Sequence, residues 1–482
     1  MPYFRFRAAS CLVAAALSGL FASALPASAI APRPDYLVLD ARLIERADNV
    51  SLKLGTVRKD PHNPLFKEDK PWEVRYDNVY ANVIFDREAG LYKCWYSPFI
   101  VDEVTAGTPP EKRAGVKYHG TPIREMGLCY AVSRDGIRWD KPALGLIDYQ
   151  GSTANNLVMR SCHGAGILKD ESDKDPARRY KLFSGEQIPR HPRRVQVAFS
   201  PDGLHWSRPL ICPDLGPGLV GDTHNNALWA PELGAYVGIT RLMGDQRLVM
   251  RTQSPDFIHW SRATEALRGN LTDQTYAMPI FRYAGVYLGL VMIFHLPTDL
   301  VQCELAWSPD TIHWQRIDPG HALIPNSTHQ GDYDWGCIYA AATPVVLPSE
   351  IRLYYGSSDG PHSTWRNGYF GLARLAPDRF AGYAAGAGDG VVETRPIELT
   401  ADRLTINADA SKGSISAELL AEDGSPLPGF SEAEAIACQG VDSLRAELRW
   451  KNQGNHGLPA LKGQRVRLRF HLRNAKLYSF RA

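Results

Sequence analysis

Ser200-Pro-Asp202-Gly-Leu-His-Trp206 is one of four copies of a single turn. The others are Ser133-Arg-Asp135-Gly-Ile-Arg-Trp139, Ser254-Pro-Asp256-Phe-Ile-His-Trp260 and Ser308-Pro-Asp310-Thr-Ile-His-Trp314. Steps on the order of 60 residues separate the aspartates, enough for one four-stranded sheet each, and such self-similarity marks a repeat architecture. In each copy a strand ends on Ser, Pro-Asp or Asp-Gly builds a tight turn, and a short strand resumes at Trp. The Ser and Asp oxygens can hold turn amides and the Trp can wedge between neighbouring sheets. Turn chemistry therefore accounts for these four aspartates, and no catalytic role is assigned to them.

Working outward, each interval contains a second strand rich in aromatic and β-branched residues: Tyr92–Ser97, Tyr180–Gly185, Tyr236–Thr240, Tyr287–Val291 and Arg352–Gly356. There are five, the number of blades expected. The fifth unit lacks the turn and ends on Gly368–Arg374, as a closing blade would, and the stretch from Tyr36 is expected to help close the ring. After Phe380 the run Ala381-Gly-Tyr-Ala-Ala-Gly-Ala-Gly-Asp-Gly390 reads as a small-residue linker. Alternating runs at Arg403–Ala408, Ser414–Leu420, Leu444–Trp450 and Arg465–Leu472 then read as half-buried antiparallel strands. The chain is thus expected to be all-β: a five-bladed β-propeller over 35–380, a linker over 381–394 and a small C-terminal β-sandwich over 395–482.

Composition fits a large folded protein, with 44% hydrophobic and 10% aromatic residues and 54 basic against 52 acidic side chains. That balance excludes a disordered chain and gives no basic footprint for nucleic acid. Arg5 and Arg7, the apolar run Cys11–Leu25 and Ala27-Ser-Ala29 form the three parts of a secretory signal over 1–29. No later apolar run is long enough to span a bilayer, so the expectation is a secreted or periplasmic protein with no membrane insertion. Cys94, Cys129, Cys162, Cys212, Cys303, Cys337 and Cys438 are odd in number and irregularly spaced, which is neither a disulfide framework nor a zinc site; one or two pairs are the most expected. No cofactor and no metal is assigned, and the oligomeric state is left open.

In a propeller the first strand of each blade lines the axis, and its leading end shares a face with the loop leaving the second strand. The leading ends here carry Asp77, His163, Asp222, Asp273 and Asp334, and the second strands exit through Glu186, Arg241, His295 and Asp359–His362, with Arg366 beyond. Crowded carboxylates are what glycosidic cleavage requires, since one must stay protonated for the leaving oxygen while another stays charged. Tyr76, Tyr276, Trp335 and Trp365 can stack on sugar faces. His163, His224, Asn225, Asp273, Gln274, His362 and the arginines can bind hydroxyls or a carboxylate. A carbohydrate is the substrate class this ensemble suits.

These features resemble the five-bladed β-propeller glycoside hydrolases of the invertase, levansucrase and arabinanase superfamily. The resemblance covers Asp35 to about Phe380 and rests on the Ser-x-Asp-Gly-x-x-Trp turns, Asp175-Pro-Ala-Arg-Arg-Tyr180 and an acid at the first inner strand. It implies Asp77 as the first-blade acid, Asp222 as the auxiliary acid and Glu186 as the proton donor, with Asp334 a further acid at the mouth. The family 32 catalytic motifs Trp-x-Asp-Pro-Asn-Gly, Arg-Asp-Pro and Glu-Cys are absent, so a divergent family-32-like or family-43-like exported hydrolase is expected. A noncatalytic glycan-binding propeller and a glycoside phosphorylase on the same fold remain alternatives. The count of five blades argues against a sialidase.

Overall fold

The computed structural model describes residues 33–482 apart from 114–115, 217, 220 and 452–456; the expected signal segment lies outside the described residues. Five antiparallel sheets follow one another along the chain. The first contains Asn82–Asp86, Leu91–Tyr96, Leu128–Ser133 and Leu157–Met159, and the second Cys162–Lys169, Tyr180–Glu186, Arg194–Ser200 and Leu210–Ile211. The third contains Asn226–Ala230, Ala235–Met243, Arg247–Ser254 and Thr264–Arg268. The fourth is built on Asp273–Ala277, Val286–His295 and Leu300–Ser308, and the fifth on Cys337–Ala340, Ile351–Ser358 and Gly368–Leu375. The protein is a five-bladed β-propeller followed by a β-sandwich.

The repeated turns are built as their side chains dictate. Ser200 Oγ accepts the N–H of Gly203 at 2.9 Å, and Asp202 Oδ1 accepts those of Leu204 and His205 at 2.8 and 2.9 Å. The pattern recurs at Asp135, Asp256 and Asp310. The residue after each Asp is left-handed, with φ of 73°, 81°, 66° and 68° at Gly136, Gly203, Phe257 and Thr311. At Gly203 a Cβ would also meet the Trp95 ring at 2.5 Å, so this copy needs glycine twice over.

The outer strand of the fifth blade comes from the start of the chain. Arg58–Lys59 and Phe66–Lys67 pair with Gly368–Leu375, and Asn63 bonds both the N–H and the C=O of Leu372. Asp334, expected at the mouth, belongs to this closure instead: it is buried, pairs with Lys59 Nζ at 2.6 Å and accepts from the Tyr355 hydroxyl at 3.0 Å. Asp334→Ala would strand the Lys59 ammonium and is expected to cost about 2 kcal/mol. Thermal unfolding should show that loss.

The stretch from Tyr36 is divided between the two units. Strand pairing with the ring comes from Arg58–Lys59 and Phe66–Lys67, whereas Tyr36–Leu37, Ile44–Asp48 and Val50–Leu54 pair with the C-terminal strands while Leu37, Leu39, Leu52 and Leu54 pack on the core of the last two blades. The expected linker is itself sheet, with strands at Ala381–Ala385 and Gly390–Thr394. The sandwich is a single sheet folded over. Its long strands run 44–54, 381–394, 465–481, 405–420 and 438–447 in spatial order, and most are interrupted near the middle, at Asn49, at 386–389, at Asn474 and at 411–413. Such irregularities bend a strand and let it pass from one layer to the other. Val38, Ile406, Leu419, Phe470 and Phe480 fill the space between the layers. The seven cysteines among the described residues are free thiols, six of them buried, where at most one or two pairs were expected. Among the described residues no helix is long and apolar enough to cross a membrane.

Candidate active site at the propeller mouth

Two tight approaches of backbone gather the polar groups. The loop Asp77-Asn-Val-Tyr80 enters the first inner strand with Val79 and Tyr80 both left-handed, at φ of 63° and 46°. Non-glycine residues adopt that conformation only under local constraint, and such strain collects at functional sites. The loop presses on Gly356, where a Cβ would come 2.4 Å from the Asn78 carbonyl oxygen. On the next blade Gly164, at φ 54°, lies so close that a Cβ would come 1.7 Å from the Thr223 carbonyl oxygen, bringing His163 beside the Asp222–His224 loop.

Asp77 stands between two buried guanidiniums, Arg366 Nη2 at 2.8 Å and Arg75 Nη2 at 3.0 Å. Burial pushes its carboxyl up, but Arg366 and then Arg75 outweigh burial and hold it at about 2. Asp222, at the lip, is gripped by Arg241 at 3.0 Å, by His163 Nε2 at 3.2 Å and by Arg193. Burial raises that carboxyl too, and Arg241, His163 and Arg193 together bring it well below the usual range. Burial drives His163 down to about 3 and His224 to about 4, so both are neutral imidazoles at neutral pH. His163 Nδ1, His224 Nε2, the Tyr339 hydroxyl and both nitrogens of His362 are buried without a hydrogen-bond partner among the described residues. Buried polar atoms of this kind are ordinarily satisfied by ordered water or by a bound group. The one group of carboxylates and histidines close enough to share an ion among the described residues is Glu418, Glu432 and His471, in the sandwich rather than on the axis.

Beside Asp77 opens a cavity of about 870 Å³ lined by Arg75, Arg366, Trp335, Trp365, Tyr369 and Glu68. Glu68 follows directly on the ring-closing strand and is half-buried, its Oε1 accepting the Tyr76 N–H at 2.7 Å. Burial pushes its carboxyl up to about 7, against the opposing pull of that hydrogen bond. Glu68 therefore keeps its proton over much of the neutral range, while Asp77 nearby stays ionised.

The residues expected from sequence divide accordingly. Asp77, His163, Asp222, Arg241 and Arg366 come together at the mouth. Tyr276 joins them, its hydroxyl accepting from Asn78 at 3.0 Å with Arg241 stacked 4.7 Å over its ring. His362 packs on Tyr276 and Phe294, His224 lies deeper beneath Tyr80, and Trp335 walls the cavity. Gln274 accepts from Arg247 at 2.7 Å.

Four others have different duties. Glu186, expected as the proton donor, is held by Arg194 through two bonds of 2.8 Å at the end of its strand. Tyr76 is a core residue between Phe66 and Tyr96. Asn225 spends its amide on the Gly164 and Gly221 carbonyls, fixing the loop. Asp273 donates its N–H to Asn270 Oδ1 at 2.7 Å in a turn that Asn270 caps, and its carboxylate pairs with His295 at 2.6 Å. Glu68 was not anticipated, because Lys67-Glu-Asp-Lys70 reads as a solvated charged run.

No family model matches the chain, and no curated protein matches it. Among solved structures it is similar to an N-acetylgalactosamine deacetylase from F. plautii in complex with blood group B trisaccharide, at 13% identity over 69% of this chain and 97% of that one, with a TM-score of 0.44. It is similar to a protein of glycoside hydrolase family 130, a family of mannoside phosphorylases containing hydrolases that target β-1,2 mannosidic linkages in Candida mannan, at 15% identity over 67% and 95% of the chains and a TM-score of 0.44. It is also similar to an α-L-arabinofuranosidase from Podospora anserina in complex with cellotriose, at 13% identity over 66% and 97% of the chains and a TM-score of 0.44.

Proposed function

We propose that the chain is an exported glycoside hydrolase that cleaves an oligo- or polysaccharide at the propeller mouth. The observation that supports this reading is a carboxyl in the cavity wall, Glu68, raised to about 7, together with Asp77, which is paired to two of the arginines lining that cavity and held at about 2. Separation of that kind assigns acid and base roles. Glu68 donates its proton to the departing glycosidic oxygen. Asp77, kept ionised by Arg75 and Arg366, faces the anomeric carbon as the charged partner. Trp335, Trp365 and Tyr369 offer ring faces on which pyranose units stack, and Arg75 and Arg366 offer donors to hydroxyls.

The test is reducing-sugar release from a panel of plant, algal and fructan glycans by the purified chain. Release from at least one, lost in Asp77→Asn and Glu68→Gln, is the expected result. Binding of a glycan with no release from any would make the propeller a noncatalytic module instead.

A further inference from the structure

A second recess, of about 440 Å³, lies between the 120–124 segment and the loop leaving the second blade, and Arg193 in its wall reaches Asp222. Its walls include Arg124, Arg190, Arg193, His191 and Gln187, and no carboxylate. Arg193 spends part of its charge on Asp222, which Arg241 already neutralises. Arg124 and Arg190 make no ion pair among the described residues; Arg124 lies over the Phe99 ring at 5.5 Å. Three guanidiniums with so little compensating charge repel one another, and an anion bound between them relieves that repulsion.

Two local features hold the guanidiniums there, and a third marks the recess as a site. Gly120 lies against Arg124, where a Cβ would come 2.5 Å from Nη1. Arg190 has a left-handed backbone at φ 64° and donates its N–H to the Pro122 carbonyl at 3.2 Å, tying one wall of the recess to the other. Gln187 is buried with Oε1 unpartnered, the sort of polar atom that a bound group or its water satisfies.

We propose that this recess receives an anionic substituent, a carboxylate or a sulfate ester, carried on the glycan that reaches across the mouth. This rests on the hydrolase reading for its glycan, but the recess can be tested without turnover. In the Glu68→Gln background, calorimetry is run with trigalacturonate against its full methyl ester, with a sulfated carrageenan tetrasaccharide against its desulfated form, and with inorganic phosphate alone.

One of the acidic probes is expected to bind about tenfold or more tightly than its neutral counterpart, since each guanidinium contributes a charge-assisted hydrogen bond. Arg124→Gln with Arg190→Gln should erase that preference at an unchanged melting temperature, and Arg190→Lys should keep part of it. Equal binding of acidic and neutral forms in both pairs overturns the proposal, as does a preference that survives the double substitution. Arginine-dependent binding of phosphate, with no preference for either acidic glycan, overturns it too, because the anion would then be free phosphate. Failure of the hydrolase reading has a separate sign: no glycan is turned over by the unmodified chain, whatever the binding preference.

Discussion

Glu68→Gln is expected to remove cleavage of natural glycans while leaving the fold intact. The amide fills the same space and still accepts the Tyr76 N–H at 2.7 Å, but it has no proton to give. Loss of a general acid costs about 10²–10⁴-fold in rate, most for poor leaving groups and least for activated ones. Turnover of an aryl glycoside with an acidic phenol should therefore survive where the natural linkage is not cut, a contrast that a purely structural role would not produce. The pH profile carries the same signature. With Glu68 at about 7 and Asp77 at about 2, the rate should stay level through mildly acidic pH and fall as pH rises through about 7.

Stability follows the same group. A carboxyl raised in the folded state favours the fold fully below its unfolded value and loses that contribution as pH climbs through the folded one. The melting temperature of the unmodified chain should sink between pH 5 and about 7.5 through Glu68, and Glu68→Gln should flatten that segment of the curve.

Asp77→Asn is expected to be the more damaging change, because two functions share one carboxylate. Without the charge Arg366 loses its ion pair and Arg75 keeps only Asp102 at 3.8 Å, both guanidiniums being buried and within 3.0 Å of Asp77. Breaking a buried pair from one side costs about 3 kcal/mol or more, since the remaining charges stay desolvated and uncompensated. Activity should fall by about 10³-fold or more in kcat, with far less change in KM, because the lost charge acts on the transition state rather than on the bound glycan. The linkage has the opposite sign to that of Glu68. A carboxyl depressed by its partners lends stability above its unfolded value and loses it as pH falls toward about 2. The acid arm of the unfolding curve should shift in Asp77→Asn, and Arg366→Met with Asp77→Asn should recover part of the lost melting temperature.

Local signals carried most of the fold. The Ser-Asp-Trp turns and the five aromatic second strands lie within single hairpins, so short-range chemistry specifies them and a sequence displays them. What closes the ring is different. Residues 58–67 meet Gly368–Leu375 across some three hundred positions, and no periodicity in Arg58-Lys59 or Phe66-Lys67 announces it. The same blindness misplaced the acids. Asp77 and Asp334 both sit at the head of an inner strand, yet one faces two arginines at the mouth and the other a lysine in the ring closure. Glu68 was hidden for a related reason: its raised proton affinity comes from burial created by the closing strand, while its neighbours Lys67 and Asp69 are exposed. Glu186 looked suitable as the Glu on the correct face, and Arg194, eight residues later on the neighbouring strand, claims it.

The folded-over sheet also fixes an order of events. Residues 44–54 emerge early but pair with 381–394, which in turn lie beside 465–481. During synthesis those first strands have no partner until nearly the whole chain is present, and the ring they precede cannot close until Gly368–Leu375 has appeared. Closure of the ring and of the folded-over sheet thus both wait on pairings of very long sequence separation, which form slowly. A chain stopped at residue 380 would lose more than a C-terminal appendage. It would leave the edges of 36–54 bare, exposing unpaired strands to pairing with other copies.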